Sequence, residues 1–416
     1  MVNKQLVIGI DLSEKYTLIS ICHDPSEGVI TYSPDRENEN FKIPAAAFRV
    51  PGSGRYVFGE EAVKSAAAFN MDYETGLFEK ACESAKNGGL RGDDPAVILL
   101  GKFISHLLRL PPETAMAKVN ALTVAVRRLH ALSGKVMEAA IKSAGIGIPS
   151  VRVISYGESF FYYALSQPIG LWRDGVHLYD YTDSHFVSGS LSIDHSTTPA
   201  LVRNTIKSRE DMVPFFGSDR RRLDEKFLSI AMEDLKHGAS GTYLTGEAFN
   251  ERWEQRTLRY ICSRSRVFKG QNLYSKGACY AAANDVDLIR ISRRYVYIGD
   301  DSLVTNVSIR AVAEGKEVLL TVADAGEKWF DAGSSMELML GHDRELILVL
   351  TDISDRNERN KVIRLDWLPV RPDRAGRIKA DFRFLSRDRL LLGIKDLGFG
   401  EIFKSSGKEK EEEIML

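Results

Sequence analysis

The chain has 416 residues, 44% of them hydrophobic, and its 56 Lys and Arg residues nearly balance its 57 Asp and Glu residues. This length suits two or three domains that each have a core of their own, and the composition is that of an ordinary soluble protein. The balanced charge argues against nucleic acid or an anionic membrane as a partner, because it supplies no overall electrostatic attraction to either.

Residues 1 to about 70 alternate short apolar runs with turn residues, which predicts a meander of short strands. The predicted strands cover 6–10, 17–22, 29–32, 41–50 and 56–58. A helix-favouring stretch then begins at Gly59. A second helix carries apolar residues at three-to-four-residue spacing from Val97 to Leu108, and Pro111 and Pro112 end it.

Strands and helices alternate over the next part of the chain. Predicted strands cover 121–126, 151–155, 176–180, 186–193 and 242–245, and those at 176–180 and 186–193 form a hairpin. Predicted helices cover 133–145, 158–165, 223–235 and 275–283. Ser133 is placed to cap the first of these helices with its hydroxyl group.

From about Arg290 the pattern changes to continuous β-like alternation. Between Ile378 and Phe384, apolar side chains alternate with charged ones, which is typical of a sheet with one solvated face. We predict a β-sandwich over 286–404. Met336, Leu338 and Leu340 within it could line a peptide groove or fill the core. The charged run that follows predicts a solvated tail over 405–416.

Cysteine spacing and hydropathy set the expected compartment. The four cysteines are widely scattered and form no CxxC pair, which argues against a zinc site and a disulfide framework. No segment approaches 18 uninterrupted apolar residues, and the first apolar run is too short for a signal peptide. We therefore expect a cytoplasmic protein without membrane insertion.

The first strand, Leu6-Val7-Ile8-Gly9-Ile10-Asp11-Leu12-Ser13, delivers one carboxylate into a turn. It resembles the first phosphate loop of the superfamily that contains actin, sugar kinases and DnaK-type heat-shock chaperones. Other segments are similar to DnaK-type chaperones in the same order along the chain. They are 57–62, 122–126 with the helix to 146, 151–158, 176–180, 244–246, 277–282, 364–369, 378–384 and 390–398.

This resemblance implies an α/β plus all-β fold, with a reduced actin-like, ribonuclease H-like two-lobed ATPase region over 1–285. Lobe I would cover about 1–165 and lobe II about 166–285, and the β-sandwich would resemble the DnaK peptide-binding domain. In active relatives the residues matching Asp11, Glu158 and Asp180 are catalytic. Asp11 and Asp180 would hold a hydrated Mg²⁺ indirectly, and Glu158 would help to position water. The nucleotide would contact Gly9, Ser13, Lys15, Thr182 and Gly246.

Both phosphate loops depart from the family pattern. Such loops point successive backbone N–H groups at an anion, which requires glycine at positive or crowded backbone angles. Ser13, Glu14 and Lys15 stand where small residues belong, and no glycine occurs in the 181–185 segment that follows Asp180. The interval from 180 to 244 is also short for the helical subdomain that clamps adenine in the family.

Two acids oppose a polyphosphate at these loops. Glu14 and Asp183 fall near the place where phosphates would lie, and Lys15 offsets only part of their charge. Two unit charges about 4 Å apart repel by about 1 kcal/mol in water and about 4 kcal/mol at an effective dielectric near 20. His185 could pair with Asp180 or Asp183 as a proton shuttle, but a polar residue in a hairpin explains it more simply.

The first hypothesis is therefore a DnaK-like pseudo-ATPase that acts through a protein or peptide client and carries no cofactor. A second hypothesis is an active ATP-dependent chaperone, in which Mg²⁺ screens the added acids and ATP is held in an altered way. A third is an actin-fold assembly scaffold. None of the three involves nucleic acid.

Overall fold

A computed structural model describes residues 5–34, 40–215, 219–353 and 357–416. The chain forms two compact units, 1–296 and 297–416. The first unit mixes helices with strands and the second is built from strands, which confirms the predicted α/β plus all-β class. The division between the two units falls after residue 296, whereas the sequence predicts it after residue 285.

The first unit begins with a meander and ends with helix α9. Its strands are β1 (Leu6–Leu12), β2 (Tyr16–Cys22), β3 (Ile30–Thr31), β4 (Ile43–Pro44), β5 (Ala47–Arg49), β6 (Tyr56–Phe58), β7 (Val119–Val126), β8 (Ser150–Ser155), β9 (Val176–Tyr181), β10 (Phe186–Asp194), β11 (Ala200–Ser208), β12 (Gly241–Thr245) and β13 (Arg266–Lys269). Its helices are α1 (Gly59–Phe69), α2 (Leu77–Gly88), α3 (Pro95–Leu108), α4 (Pro112–Met116), α5 (Ser133–Ser143), α6 (Tyr156–Leu165), α7 (Arg220–Asp234), α8 (Gln255–Cys262) and α9 (Leu273–Asp285). Strand β14 (Tyr295–Ile298) leads out of this unit.

Two sheets of this unit have the same strand order. The first runs β3-β2-β1-β7-β8, and the second contains β11-β10-β9-β12-β13. The central strands β1 and β9 each pair antiparallel with the next strand of a meander and parallel with a strand that arrives after a helix. Parallel neighbours end at the same edge of a sheet, so the segments that follow β1 and β7 meet, as do those that follow β9 and β12.

Strand alternation separates the two faces of each central strand. In β1, Ile8 and Ile10 join the core that contains α3 and α5, whereas Val7 joins Cys279 and Ala282 of α9. In β9, Tyr179 and Tyr181 join the core that contains α7. The intervening residues Asp11 and Asp180 therefore point away from these outer helices, towards the interior of the unit.

Helix α9 packs closely because glycines leave room for it. A Cβ atom added to Gly9 of β1 would lie 2.1 Å from the backbone nitrogen of Cys279. A Cβ added to Gly277 of α9 would lie 2.0 Å from the carbonyl oxygen of Ser159 in α6. Only glycine permits such approaches, so Gly9 and Gly277 set the distances between β1, α9 and α6.

The second unit consists of two four-stranded sheets. Its strands are β15 (Thr305–Ala313), β16 (Lys316–Ala323), β17 (Gly333–Leu340), β18 (Glu345–Asp352), β19 (Glu358–Arg364), β20 (Gly376–Ser386), β21 (Arg389–Asp396) and β22 (Glu409–Met415). The sheet orders are β16-β15-β18-β19 and β17-β20-β21-β22. One core joins residues of both sheets, including Ile309 and Leu348 from one and Phe382 and Leu392 from the other. Leu340 belongs to this core, and Met336 and Leu338 pack against it.

The predicted solvated tail is wrong for most of its length. Residues 409–415 form β22, which pairs antiparallel with β21. The charged side chains are exposed, yet Arg389 Nη1 lies 3.0 Å from Glu413 Oε1 across the two strands, and Ile414 is buried. Cross-strand charge pairs and one buried side chain therefore order a segment whose local composition favours solvation.

Several local predictions also need correction. The stretch 41–50 is two short strands, β4 and β5, rather than one. Ser133 is the first residue of α5 rather than its cap, and its hydroxyl accepts a hydrogen bond from the backbone N–H of His130 at 2.8 Å. Local sequence patterns do not predict α2, β11, α8 or β13. Within the described ranges, every helix is too short or too polar to cross a bilayer.

Candidate functional site

Asp11 and Asp180 lie one residue before the ends of the two central strands. Asp11 is paired with Ala125 of β7, and Asp180 with Thr245 of β12. They are 6% and 2% exposed, respectively. Because both strands present these side chains to the interior of the unit, the two buried carboxylates take part in one group of polar side chains.

Three further side chains complete this group. Arg127 directly follows β7, Tyr156 is the first residue of α6, and Tyr274 lies in the first turn of α9. We call these three residues, together with Asp11 and Asp180, the carboxylate site.

The two tyrosines link the carboxylates through their hydroxyl groups and rings. Tyr156 Oη donates a hydrogen bond to Asp11 Oδ1 at 2.5 Å, and Tyr274 Oη donates one to Asp180 Oδ2 at 3.0 Å. Their rings stack with centroids 3.9 Å apart and planes inclined by 16°. The space between the two acids is therefore occupied by aromatic rings of the chain itself.

Arg127 contacts the Tyr156 ring and the second acid. Its Cζ lies 4.8 Å from the centre of the Tyr156 ring, and both terminal nitrogens lie 3.4 Å from Asp180 Oδ2. His185 Nε2 lies 3.4 Å from the same oxygen. A cation stacked on an aromatic face and paired with a carboxylate is favourable, and here the Arg127 side chain is 37% exposed whereas that of Asp180 is 3% exposed.

The electrostatic states of the two acids differ. Burial raises the pKa of Asp11 to about 7, although the hydrogen bond from Tyr156 and the charge of Arg127 oppose the rise. Burial also acts against ionisation of Asp180, but the adjacent His185 and Arg127 outweigh it and lower its pKa below the ordinary value. Near neutral pH, Asp180 is ionised and Asp11 is protonated in a substantial fraction of molecules.

Two ion pairs, one exposed and one partly buried, join the segments around the carboxylate site. Lys15, which follows β1, lies 2.7 Å from Asp183, which follows β9. Lys42 lies 2.7 Å from Glu247, which follows β12. The side chains of Lys15 and Asp183 are 60% and 41% exposed, so their pairing is screened by water. Both lysines direct their charge at carboxylates of the chain.

The structure places Glu158 in a second ion-pair network. Glu158 lies in α6, and its Oε1 pairs with Arg152 Nη2. The other terminal nitrogen of Arg152 lies 2.9 Å from Asp285 Oδ1. Asp11 and Asp180 are thus brought together around Arg127 and the tyrosines, whereas the contacts described for Glu158 are with Arg152.

The residues predicted to contact a nucleotide instead make contacts with other residues of the chain. Ser13 Oγ donates to the carbonyl oxygen of Tyr16 at 2.6 Å, and Thr182 Oγ1 lies 2.6 Å from His185 Nδ1. Gly246 has a φ of 96°, and an added Cβ would lie 2.2 Å from the carbonyl oxygen of Tyr181. Gly9 provides room for α9, as described above. The roles of these residues towards a ligand stay predictions.

The sequence patterns considered above do not identify Arg127, Tyr156 or Tyr274 as site residues. A signal for Arg127 exists, because it directly follows a buried strand that runs parallel to β1, and the ends of parallel strands meet. Tyr156 follows β8 in the same way. Tyr274 has no comparable local signal. In the part of the chain that the structure describes, no group of three His, Cys, Asp or Glu residues could hold a metal ion.

Two family models match the chain. The model described as family of unknown function (DUF5716) C-terminal matches residues 29–300. The model described as domain of unknown function (DUF8552) matches residues 302–416. The two matches adjoin close to the division between the compact units after residue 296. A search of curated proteins finds no match.

Proposed function

The chain belongs to the DUF5716 family, whose function is unknown. From the arrangement of its carboxylate site we propose that it is a DnaK-like pseudo-ATPase of the actin superfamily. It acts through contacts with a protein or peptide client and requires no nucleotide. Its first unit keeps the two-lobed architecture of the superfamily, and its second unit keeps a sandwich like the DnaK peptide-binding domain. Its partners do not include nucleic acid, and it works in the cytoplasm.

This proposal rests on the side chains that lie between the two acids of the carboxylate site. Stacked tyrosine rings and the Arg127 guanidinium occupy the space between Asp11 and Asp180. A hydrated Mg²⁺ placed there would meet the fixed positive charge of Arg127 and the stacked rings of Tyr156 and Tyr274. These residues do not fit Mg-ATP. They fit a site that is held closed by the chain.

The two sheets of equal strand order support the resemblance to the superfamily. The resemblance implies a region of two lobes, each of which delivers one carboxylate, and Asp11 and Asp180 end the central strands of the two sheets. In the second unit, two sheets share one core, as in a β-sandwich, and this supports the proposed likeness to the peptide-binding domain.

Calorimetry with Mg-ATP on the full chain, together with an assay of phosphate release, tests this proposal. A closed site predicts no binding heat up to millimolar nucleotide and no turnover. Binding at micromolar strength together with turnover contradicts the proposal and favours an active ATP-dependent chaperone. In that case Asp180→Ala abolishes both signals, which separates turnover by this site from turnover by a contaminating ATPase.

A further inference from the structure

An aromatic groove with a basic rim lies between β6 and α3. Its cavity has a volume of about 510 Å³ and is lined in part by Tyr56, Phe58, Lys102, His106 and Arg109. We call these five residues the α3 groove. It shares no residue with the carboxylate site.

The floor of the α3 groove is aromatic. Tyr56 and Phe58 occupy alternate positions of β6 and therefore face the same side, with ring centroids 6.4 Å apart and planes inclined by 17°. The His106 ring lies 5.7 Å from the Phe58 ring. All three side chains are partly exposed, so the floor offers apolar and aromatic surface to a ligand.

The rim of the groove is a polar stripe of α3. Lys102, Ser105, His106 and Arg109 are spaced at i, i+3, i+4 and i+7, which places them on one face of the helix. Lys102 Nζ lies 5.9 Å from the centre of the Tyr56 ring, so the first cation of the stripe borders the aromatic floor.

The charge of the rim is not balanced within the described ranges. Arg55 Nη2 lies 3.4 Å from Glu61 Oε1, so these two residues on the opposite wall neutralise each other. Lys102 and Arg109 form no ion pair with a described residue. Burial lowers the pKa of His106, so its ring is largely neutral at neutral pH. The groove therefore has an excess of two positive charges. The carbonyl groups at the end of α3 offset part of the charge of Arg109, but not that of Lys102 two turns earlier.

We propose that the α3 groove binds an acidic peptide segment that places an aromatic or large apolar side chain on Tyr56 and Phe58. The carboxylates of the segment would pair with Lys102 and Arg109. A peptide fits better than nucleic acid, which is held by a longer series of cations along a basic surface, whereas here Glu61 lies on the facing wall. This inference rests on the proposed function, because it names the chemistry of the client.

Fluorescence anisotropy of a short fluorescein-labelled peptide tests the inference on the full chain without nucleotide. The probe contains glutamates around two phenylalanines, and two matched peptides replace either the glutamates by lysine or the phenylalanines by glycine. The inference predicts that the glutamate and phenylalanine probe binds best and that added salt weakens its binding. Equal binding of the lysine peptide, no binding at millimolar protein, or tighter binding of a single-stranded oligonucleotide overturns it.

Charge reversal at the rim locates the binding. We expect Lys102→Glu and Arg109→Glu each to weaken the probe about fivefold, and the double variant to weaken it at least tenfold. Lys135→Glu changes an exposed lysine of α5 outside the groove and serves as the matched control, with less than a twofold effect. Thermal unfolding of each variant confirms that it is folded. Unchanged binding by the folded double variant overturns the inference.

The two proposals fail in different ways. Micromolar binding of Mg-ATP by the wild-type chain contradicts the pseudo-ATPase, while the response of the probe to Lys102→Glu still reports on the groove. Silent ATP calorimetry combined with loss of the charge preference among the peptides overturns the groove alone.

Discussion

Asp11 and Asp180 occupy corresponding positions in two sheets of the same strand order, yet their surroundings differ. Asp180 is contacted by Arg127, Tyr274 and His185. The Asp11 carboxyl group accepts a hydrogen bond from Tyr156 in a buried setting that raises its pKa to about 7. The same strand order therefore places a carboxylate at corresponding positions of the two sheets, and the neighbouring side chains determine which carboxylate is charged.

This difference distinguishes a closed site from a cation-binding one. A site that holds a hydrated divalent ion is served by two ionised carboxylates, since the ion favours the charged form of both. Here the chain supplies a fixed cation, Arg127, and pairs it with one acid. Substitutions at and around Asp11 and Asp180 therefore test this asymmetry.

The largest expected effect is the pH dependence of Asp11→Asn. The folded pKa of Asp11 is raised from 3.8 to about 7, so the folded state retains a proton that the unfolded state loses between these values. Wild-type stability therefore falls as pH rises from 4 to 7, by on the order of 4 kcal/mol from this group. Asp11→Asn lacks this loss. Urea unfolding of both proteins from pH 4 to pH 8 should show the variant gaining on the wild type up to pH 7, and a constant difference contradicts the raised pKa.

The next largest effect is expected for Asp180→Asn, with the opposite sign at neutral pH. This change leaves Arg127 without its carboxylate partner. Because the Arg127 side chain is 37% exposed, water screens part of the loss, and we expect a loss of about 2 to 3 kcal/mol. The pKa of Asp180 is lowered, and its stabilisation is present above the unfolded value and disappears as pH falls through the folded value. Urea unfolding at pH 7.5 measures the loss. A variant as stable as the wild type would show that the pair contributes little.

Removal of the hydroxyl groups that donate to the two acids tests the difference in their charge separately. Tyr274→Phe removes a hydrogen bond to an ionised carboxylate and should lower stability by about 2 kcal/mol. Tyr156→Phe removes one to a largely protonated carboxyl group and should cost about 1 kcal/mol below pH 7, and more above it. Chemical unfolding at pH 6 and pH 8 compares the two. The same pH response in both variants would indicate that the two acids have the same charge state.

The smallest effect is expected at the exposed pair. Lys15→Ala removes the ion pair with Asp183, whose side chain is 41% exposed, and should change stability by less than about 0.5 kcal/mol. Double-mutant cycles with Asp183→Ala measure the coupling. A coupling above 2 kcal/mol would mean that this pair, rather than the buried residues, holds the two segments together.

The strands that carry the acids could be predicted from sequence because their signals are local. The apolar run of β1, the β9–β10 hairpin and the alternation through β20 are all confirmed. The strand β22 could not be predicted in this way. Its residues are mostly charged, and they form a strand because of side chains on β21 and the burial of Ile414.

The filled site could not be predicted because its contacts are long-range. The hydrogen bond from Tyr156 to Asp11 joins residues 145 positions apart, and that from Tyr274 to Asp180 joins residues 94 positions apart. Missing glycines in the loops indicate a weak anion site, but they do not show what takes its place. The fold is therefore accessible from local patterns, whereas the occupants of the site follow from how β1, α6 and α9 pack.

The titration of Asp11 tests most directly whether the carboxylate site is filled by the chain itself. Carbon-13 NMR of aspartate-labelled protein reports the state of each carboxyl carbon, and the Asp11→Asn variant assigns the signal. A filled and poorly solvated site predicts a midpoint near pH 7. A midpoint near the ordinary value of 3.8 contradicts it, because water or ions would then reach Asp11 freely.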